Sequence, residues 1–243
     1  MNPSPSAKAS STKMEWLAGV VQAGPIVLGY IPIGLAFGVL AQKAGISVLN
    51  TLLMSLLVYA GSSQLIAVGL FASRSPALSV VLTTFVVNLR HVLLSAALSP
   101  FLERWRKREI AAFAYQLTDE TFAVHAARFA SGTPSKAEIL TTNVTAQTAW
   151  VFGSWLGVVV GQSISDVKPL ALDYVLPAMF IALMVLQTQD CVQVGVALAT
   201  GALSVGLLLM GVGQWNVIAA TLIGATIGVM FEAFEIWIKK RSC

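Results

Sequence analysis

The chain has 243 residues, of which 56% are hydrophobic and only 11% are charged, whereas about a quarter of the residues in a soluble domain are charged. Its mean hydropathy is +0.79, and several apolar runs reach the roughly 20 residues that a helix needs to cross a bilayer. This composition excludes an ordinary soluble enzyme and predicts an all-α polytopic membrane protein. The net charge of +4 does not indicate nucleic-acid binding, because the basic residues cluster beside apolar runs, as in cytoplasmic flanks of membrane helices.

The sequence divides into three predicted parts. Residues 1–15 are expected to be a disordered tail, because their first 13 residues are rich in Ser, Pro and Lys and contain no apolar core. Residues 16–238 form a single transmembrane helical domain, and residues 239–243 form a basic C-terminal flank. About seven hydrophobic segments are predicted, at residues 16–41, 50–72, 83–102, 139–160, 170–187, 191–210 and 217–238. A faint similarity between regions 30–100 and 149–238 suggests an inverted repeat.

The first segment contains glycine and proline inside its apolar run. Proline removes a backbone donor and clashes with the carbonyl four residues earlier, so a straight continuous helix is not expected. In one interpretation the helix is broken, and Pro25, Gly29, Pro32 and Gly34 line a cavity near the bilayer midplane. In the other it is kinked and packs closely on a neighbour through Gly34 and Gly38, which have GxxxG spacing.

The centre of the second segment, YAGSSQ at residues 59–64, is small and polar. Such a run either lets two helices approach closely or offers hydrogen bonds to a small polar solute. Ser62, Ser63 and Gln64 are therefore candidates for contacts with a solute.

The third segment carries Asn88, Arg90 and His91 in the middle of an apolar run. Helical spacing places Thr84, Asn88, His91 and Ser95 on one stripe, with Arg90 on a different face. An ionisable group in hydrocarbon usually faces a bundle interior or a wet pathway, where Arg90 would need a carboxylate or carbonyl partner. The alternative is that Arg90 extends to the headgroups while His91 bonds a neighbouring helix.

Acidic candidates follow the strongest basic flank, ERWRKRE at residues 103–109, which is predicted to be cytoplasmic. Region 112–130 contains Asp119 and Glu120 beside a stripe that includes His125. It is either an amphipathic helix at the membrane surface or a helix that lines a cavity against Arg90. Asp173 lies near the start of segment 170–187.

Motifs of enzymes and ATP-driven pumps are absent from the sequence. It contains no GxxxxGK[ST], HExxH, GxSxG or CxxC pattern and no dinucleotide fingerprint. Two distant histidines and two cysteines do not form a recognisable zinc site or disulfide framework. We therefore expect no enzymatic activity, no cofactor and no metal.

Several stretches together resemble a known family. GPIVLGYIPIGLAFGVLAQKAG, YAGSSQLIAVGLF, NLRHVLLSAALSPFL, LTDETFAV and LDYVLPAMFIALM are similar to the AzlC-type large subunit of bacterial branched-chain amino acid exporters, over about residues 16–235. The resemblance implies a multi-pass secondary exporter of valine, leucine, isoleucine and related amino acids such as methionine, in the bacterial plasma (inner) membrane. It also implies a small AzlD-type membrane partner. Ile33 stands where the family's first motif commonly has an aromatic residue, and Tyr174 stands where the family's LDF motif has phenylalanine; both departures concern the preferred substrate side chain.

A transported amino acid needs partners for its carboxylate and its ammonium group. We hypothesise that Arg90, helped by Asn88 or His91, attends to the carboxylate or to a coupled proton. Asp119, Glu120 or Asp173 would attend to the ammonium group or the proton, and imidazole titrates near neutrality, which makes His91 a candidate for proton coupling. The alternative functions are a non-transporting assembly or signalling subunit, or a channel.

Overall fold

In a computed structural model of the chain, every regular element among the described residues is helical, which confirms the all-α class. The structure describes residues 5–164, 191–211 and 219–231, together with positions 174, 178, 181, 184 and 185. The chain divides into two units, residues 1–179 and 180–243, and each is considered by itself.

The described helices of the first unit are α1 (Pro5–Lys43), α2 (Val48–Leu53), α3 (Gly61–Ala72), α4 (Ala77–Asn88), α5 (Arg90–Leu98), α6 (Lys107–Tyr115), α7 (Asp119–Ser131) and α8 (Lys136–Ser163). A π-helical turn, Met54–Val58, follows α2, and a 3-10 turn, Ser99–Leu102, follows α5. The second unit contains α9 (Cys191–Leu209) and α10 (Ala219–Phe231).

Four helical stretches within the described residues are long and apolar enough to cross a membrane: Met14–Lys43, Ala77–Leu102, Lys136–Ser163 and Val192–Leu209. The count of seven segments and the inverted repeat stay predictions, because segments 170–187 and 217–238 lie partly outside the described residues. Helix α1 begins at Pro5 and so overlaps the predicted tail. The basic flank at residues 239–243 lies outside the described part, and the division into three parts also stays a prediction.

Helix α1 is continuous from Pro5 to Lys43, so the predicted break in the first segment is wrong. Pro25 and Pro32 are seven residues apart and therefore share one face, which is the exposed face of the helix. The opposite face packs along α8, and such packing allows a membrane helix to retain proline without losing its axis. The two prolines therefore line no cavity within the described residues.

Glycines bring α1 and α8 into close contact. A Cβ atom on Gly34 would lie 3.0 Å from the carbonyl oxygen of Trp150, and one on Gly153 would lie 2.7 Å from that of Ile31. The close packing predicted from the GxxxG spacing is confirmed. Gly19 faces the beginning of α8, and Gly38 faces its second half, so the two helices run parallel.

The second predicted segment does not cross as one helix. It folds back at Tyr59 and Ala60 into a helical hairpin, residues 48–72, which we call the first hairpin. The amide Nε2 of Gln64 lies 3.3 Å from Ser55 Oγ, although nine residues of continuous helix would separate them by about 13 Å. The predicted single span is therefore wrong at this position.

Region 112–130 also belongs to a hairpin. Helices α6 and α7 are joined by residues 116–118 and form the second hairpin, residues 107–131. The rings of Phe113 and His125, one on each arm, have centroids 5.3 Å apart. The longest of the four hairpin arms, α7, has 13 residues and is about 20 Å long. A bilayer core measures about 30 Å. No single arm of either hairpin is therefore long enough to span a membrane.

The tips of both hairpins meet the middle of α8. Gly61 lies directly against the ring of Trp150, where a Cβ atom would come within 2.8 Å of the indole. Gln116 Nε2 donates to Gln147 Oε1 at 2.7 Å. Trp150 and Gln147 are about halfway along the 28 residues of α8.

The two hairpins start at opposite ends of α8. The first follows the end of α1 at Lys43, whose ammonium group donates to the carbonyl of Ile164 just beyond α8. The second begins where Glu109 pairs with Lys136, at the first residue of α8. The fold therefore brings two short hairpins from opposite directions to one level inside the first unit.

Candidate functional site

Arg90 joins the two hairpin tips. Its Nη1 lies 2.9 Å from Asp119 Oδ2 at the tip of the second hairpin, and its Nη2 donates to Ser62 Oγ at 2.5 Å at the tip of the first. The side chains of Arg90 and Asp119 are 29% and 12% exposed. The guanidinium group therefore lies among protein groups halfway along the α4–α5 span, with part of its surface accessible.

The predicted helix at residues 83–102 lies within the helical span Ala77–Leu102, which contains a tightened turn. Leu89 separates α4 from α5, and its N–H lies within hydrogen-bond distance of the carbonyls of both Phe85 and Val86, as in a locally tightened turn. The predicted polar stripe is half-buried along its length, whereas Phe85, Val86 and Leu89 are exposed. Arg90 is the first residue of α5, so the tightened turn at Leu89 directly precedes it.

The second hairpin presents its acids through a helix N-terminus. Thr118 caps α7: its hydroxyl accepts the N–H of Thr121, and the Thr121 hydroxyl accepts the N–H of Thr118. Asp119 and Glu120 follow in the first helical turn, where the positive end of the helix dipole favours carboxylates.

Tyr30 of α1 completes this group, although the sequence analysis did not single it out. Its buried hydroxyl donates to Glu120 Oε2 at 2.8 Å and lies 2.6 Å from Thr118 Oγ1. Its ring packs edge-on against Tyr59 and Trp150. The connected residues, which we call the tip cluster, are Tyr30, Ser62, Arg90, Thr118, Asp119 and Glu120.

Two of the three polar candidates in the first hairpin, Ser63 and Gln64, form hydrogen bonds with other groups of the protein. Gln64 is fully buried and accepts a hydrogen bond from Trp150 Nε1 at 3.1 Å, while its amide nitrogen faces Ser55. Ser63 donates to the carbonyl of Ala60. Of the predicted run, Ser62 is the residue that bonds an ionisable side chain, since it accepts from Arg90.

Three buried polar atoms have no hydrogen-bond partner among the described residues: Arg90 Nε, Asn88 Oδ1 two residues earlier, and Tyr59 Oη, whose ring packs against Tyr30. Such atoms are rare because each is costly to bury. Tyr59 also has a positive φ of 43°, which is uncommon for a residue other than glycine and often marks a functional position.

The remaining predicted residues have other positions. His91 is half-buried one residue after Arg90, and Gly29 is partly buried on α1. Gly34 packs against α8, and Pro25 and Pro32 are exposed, so the predicted cavity lined by the first helix is not present there. Asp173 lies outside the described residues.

A second polar cluster lies further along α7, and we call it the α7–α8 cluster. Arg128 donates through Nε and Nη2 to Glu138 Oε1 at 2.9 and 2.5 Å. One turn earlier, the fully buried His125 places Nε2 2.7 Å from Asn143 Oδ1. The side-chain amide of Gln22 on α1 contacts both members of the ion pair: its nitrogen donates to Glu138 Oε1 at 3.2 Å, and its oxygen accepts from Arg128 Nε at 2.7 Å.

At its first residue, Lys136, helix α8 is linked to the basic flank of residues 103–109. Lys136 binds Glu109 and lies over the ring of Trp105. The hydrogen bond from Lys136, together with the backbone N–H of Arg106, holds the pKa of Glu109 below its usual value. Among the described residues no three His, Cys, Asp or Glu side chains are grouped as a metal site requires.

An apolar groove of about 420 Å³ lies beside the first arm of the first hairpin, next to Leu52 and Leu56. Its walls come from α2, the π-helical turn and α8, and include Trp155 and Phe152. None of the predicted site residues lines this groove.

These features define a multi-pass helical membrane protein in which a partly buried Arg–Asp pair joins the tips of two opposed hairpins. The model of the AzlC protein family matches residues 25–164, which contain both hairpins and the whole tip cluster. The chain belongs to the AzlC family.

Relatives extend the similarity beyond that region. The inner membrane protein YgaZ of Escherichia coli (strain K12) is 32% identical over 77% of this chain and 78% of its own length. An uncharacterized membrane protein of Archaeoglobus fulgidus is 33% identical over 85% of this chain and 90% of its own. The branched-chain amino acid transport protein AzlC of Bacillus subtilis (strain 168) is 24% identical over 85% and 80%. No solved structure shows a significant match to the chain.

Proposed function

We propose that this chain is the large subunit of a secondary transporter that exports branched-chain amino acids and related apolar amino acids such as methionine. Membership of the AzlC family and the similarity to the branched-chain amino acid transport protein of Bacillus subtilis support the substrate class. The outward direction, the location in a bacterial inner membrane and the small AzlD-type partner are inferred from the resemblance to bacterial exporters.

The observation that carries the proposal is the ion pair of Arg90 and Asp119 between the hairpin tips. An amino acid is a zwitterion and brings one carboxylate and one ammonium group. It can therefore replace the internal pair, with its carboxylate on Arg90 and its ammonium group on Asp119, without leaving a buried charge unpaired. The guanidinium fork suits a carboxylate better than a point charge does.

The unpartnered atoms nearby have the complementary chemistry. Arg90 Nε and Tyr59 Oη can donate to a carboxylate, and Asn88 Oδ1 can accept from an ammonium group. A ligand that satisfies all three recovers the cost of burying them, which a purely structural ion pair would not do.

Proton coupling is part of the proposal. Asp119 and Glu120 are adjacent carboxylates, one bound to Arg90 and the other to Tyr30. A proton on either one neutralises an acceptor for the substrate ammonium group, so proton and substrate occupancy are linked. His91 is the alternative carrier.

The test is L-leucine efflux from vesicles that contain the chain, with and without an AzlD-type partner and with and without a proton gradient. We expect gradient-dependent efflux that Arg90→Ala lowers at least a hundredfold. The matched control is Arg108→Ala, because Arg108 is an exposed arginine at the start of α6. This variant should stay within twofold of wild type. Wild-type efflux from Arg90→Ala at an equal amount of folded protein would exclude the proposed site, and absence of flux from every wild-type arm would exclude a transporter.

A further inference from the structure

Helix α7 carries a line of proton-exchanging groups from the tip cluster toward the start of α8. The first links are hydrogen bonds: Tyr30 Oη to Glu120 Oε2 is 2.8 Å, Tyr30 Oη to Thr118 Oγ1 is 2.6 Å, and Thr118 Oγ1 to Thr121 Oγ1 is 3.2 Å. Thr118 and Thr121 are buried, so the hydroxyl chain runs inside the protein.

The chain of hydroxyls has a direction. A hydroxyl has one proton to give, and Tyr30 gives its own to Glu120. Thr118 must then donate to Tyr30 at their 2.6 Å contact. Thr118 then has no proton left for Thr121, so Thr121 is the donor when their hydroxyls bond at 3.2 Å. The Thr121 hydroxyl also lies 3.3 Å from the carbonyl of Thr118, and it turns between these two acceptors as it passes a proton toward Glu120.

His125 lies one turn beyond Thr121 on the same face of α7, about 6 Å along the helix axis. Its Nε2 donates to Asn143 Oδ1, so Nδ1 is the atom that gains or loses a proton. Nδ1 is buried and has no partner among the described residues, and the same holds for Asn143 Nδ2 and Thr141 Oγ1. Nδ1 can therefore bond a water, which is how a buried polar atom without a protein partner is usually satisfied.

The groups that face His125 come from three elements. Glu138 of α8 and Arg128 of α7 form an ion pair and so contribute little net charge. Asn143 of α8 fixes the ring orientation, and Phe113 of α6 packs against the ring at 5.3 Å. A proton on His125 is therefore the mobile charge in this neighbourhood.

We propose that His125, Thr121, Thr118 and Tyr30 form a buried relay that exchanges a proton with Glu120 during transport. In one transfer the Nδ1–H bond of the imidazolium breaks, and the proton passes to a water and then along the three hydroxyls. Each hydroxyl releases its own proton as it receives another, and an O–H bond forms on Glu120. Imidazolium and carboxylate both become neutral, so the total charge is unchanged.

This inference rests on the proposed transport function, and its test separates the two. The full chain, with its AzlD-type partner if efflux requires one, is placed in liposomes. Two rates are measured with L-leucine: net flux driven by a proton gradient, and exchange of labelled for unlabelled leucine without a gradient. Exchange needs substrate binding but no net proton movement, so a relay variant should lose the first rate and keep the second.

We expect His125→Gln to lower net flux at least tenfold and to leave exchange within twofold of wild type. Thr121→Val removes the hydroxyl that relays the proton and also the acceptor of the Thr118 N–H, so net flux should fall at least tenfold and further than exchange; it serves if His125→Gln does not fold. The matched control is Thr148→Val, because the Thr148 hydroxyl bonds within its own helix; both rates should be unchanged. Asn143→Asp places a carboxylate beside the ring, which favours imidazolium and should shift the pH profile of net flux to higher pH.

The relay is overturned if His125→Gln and Thr121→Val both retain wild-type net flux. It is also overturned if His91→Gln loses net flux while His125→Gln keeps it. Absence of exchange in the wild-type protein contradicts the proposed function itself.

Discussion

The two polar clusters on α7 differ in how completely their charges are satisfied. In the α7–α8 cluster, Arg128 directs two nitrogens to one oxygen of Glu138, and the amide of Gln22 contacts both. In the tip cluster, Arg90 makes one contact with Asp119 and one with Ser62, and its Nε has no partner among the described residues. A saturated pair holds helices together, whereas a pair with spare donors can exchange partners. The comparison favours a structural role for the Arg128–Glu138 pair and supports the proposal that the Arg90–Asp119 pair binds substrate.

The largest expected effect is that of Asp119→Asn. The change removes the negative partner of Arg90 and the proposed partner of the substrate ammonium group, at a cost of about 3 kcal/mol, near the lower limit for breaking a buried pair. At about 1.4 kcal/mol per factor of ten, leucine efflux per folded molecule should fall about a hundredfold. The measurement is efflux from vesicles, normalised to folded protein by size-exclusion chromatography.

Glu109→Gln is the control for this variant. Glu109 also forms an ion pair, with Lys136, but it lies in the first turn of α6, at the start of the second hairpin. Efflux from it should stay within twofold of wild type. Equal losses in the two variants would mean that removing any of these carboxylates disturbs the fold, and the contrast between the clusters would disappear.

The ionisable residues of the tip cluster could be identified from the sequence. Arg90, Asp119 and Glu120 stand out because charged side chains are rare in membrane regions. Their pairing could not be read from spacing, since Arg90 and Asp119 are 29 positions apart and meet only because α6 and α7 fold back. Tyr30 was missed because a tyrosine in an apolar run has the same pattern as an ordinary core residue.

The hairpins were missed because length was the main criterion. Residues 50–72 have the length of one span, and the small polar run at residues 59–64 was interpreted as a close-packing or solute-binding site, not as the point where the chain reverses. A usable signal existed in the second hairpin: Thr118 followed three positions later by Thr121 is a capping pattern that begins a new helix. Pro25 led to the opposite error, a predicted helix break that is absent. Proline disfavours a helix interior locally, but packing against α8 keeps α1 continuous.

A smaller effect is expected for Tyr30→Phe. The ring and its packing against Trp150 remain, while the hydroxyl that bridges Glu120 and Thr118 is lost. Proton-driven leucine flux should fall about tenfold, because the chain of hydroxyls is interrupted, and leucine exchange should change less than twofold. The control is Tyr115→Phe, whose hydroxyl bonds the carbonyl of Leu56 and no acid. Equal effects of the two variants on flux would assign Tyr30 to packing alone.

The smallest effect on transport, within twofold, is expected for Arg128→Lys, which tests the structural side of the comparison. Lysine keeps the positive charge near Glu138 but cannot place two nitrogens on one oxygen. Because the Arg128 side chain is 42% exposed, the loss should be about 1 kcal/mol, below the range for fully buried charged hydrogen bonds. For a chain of this size that corresponds to a melting temperature lower by about 2–4 °C, measured by thermal unfolding in detergent. Arg108→Lys should change neither quantity, since Arg108 is exposed. If Arg128→Lys instead lowered efflux tenfold at an unchanged melting temperature, Arg128 would belong with Arg90 as a residue that changes partners, and helix α7 would carry one extended transport site.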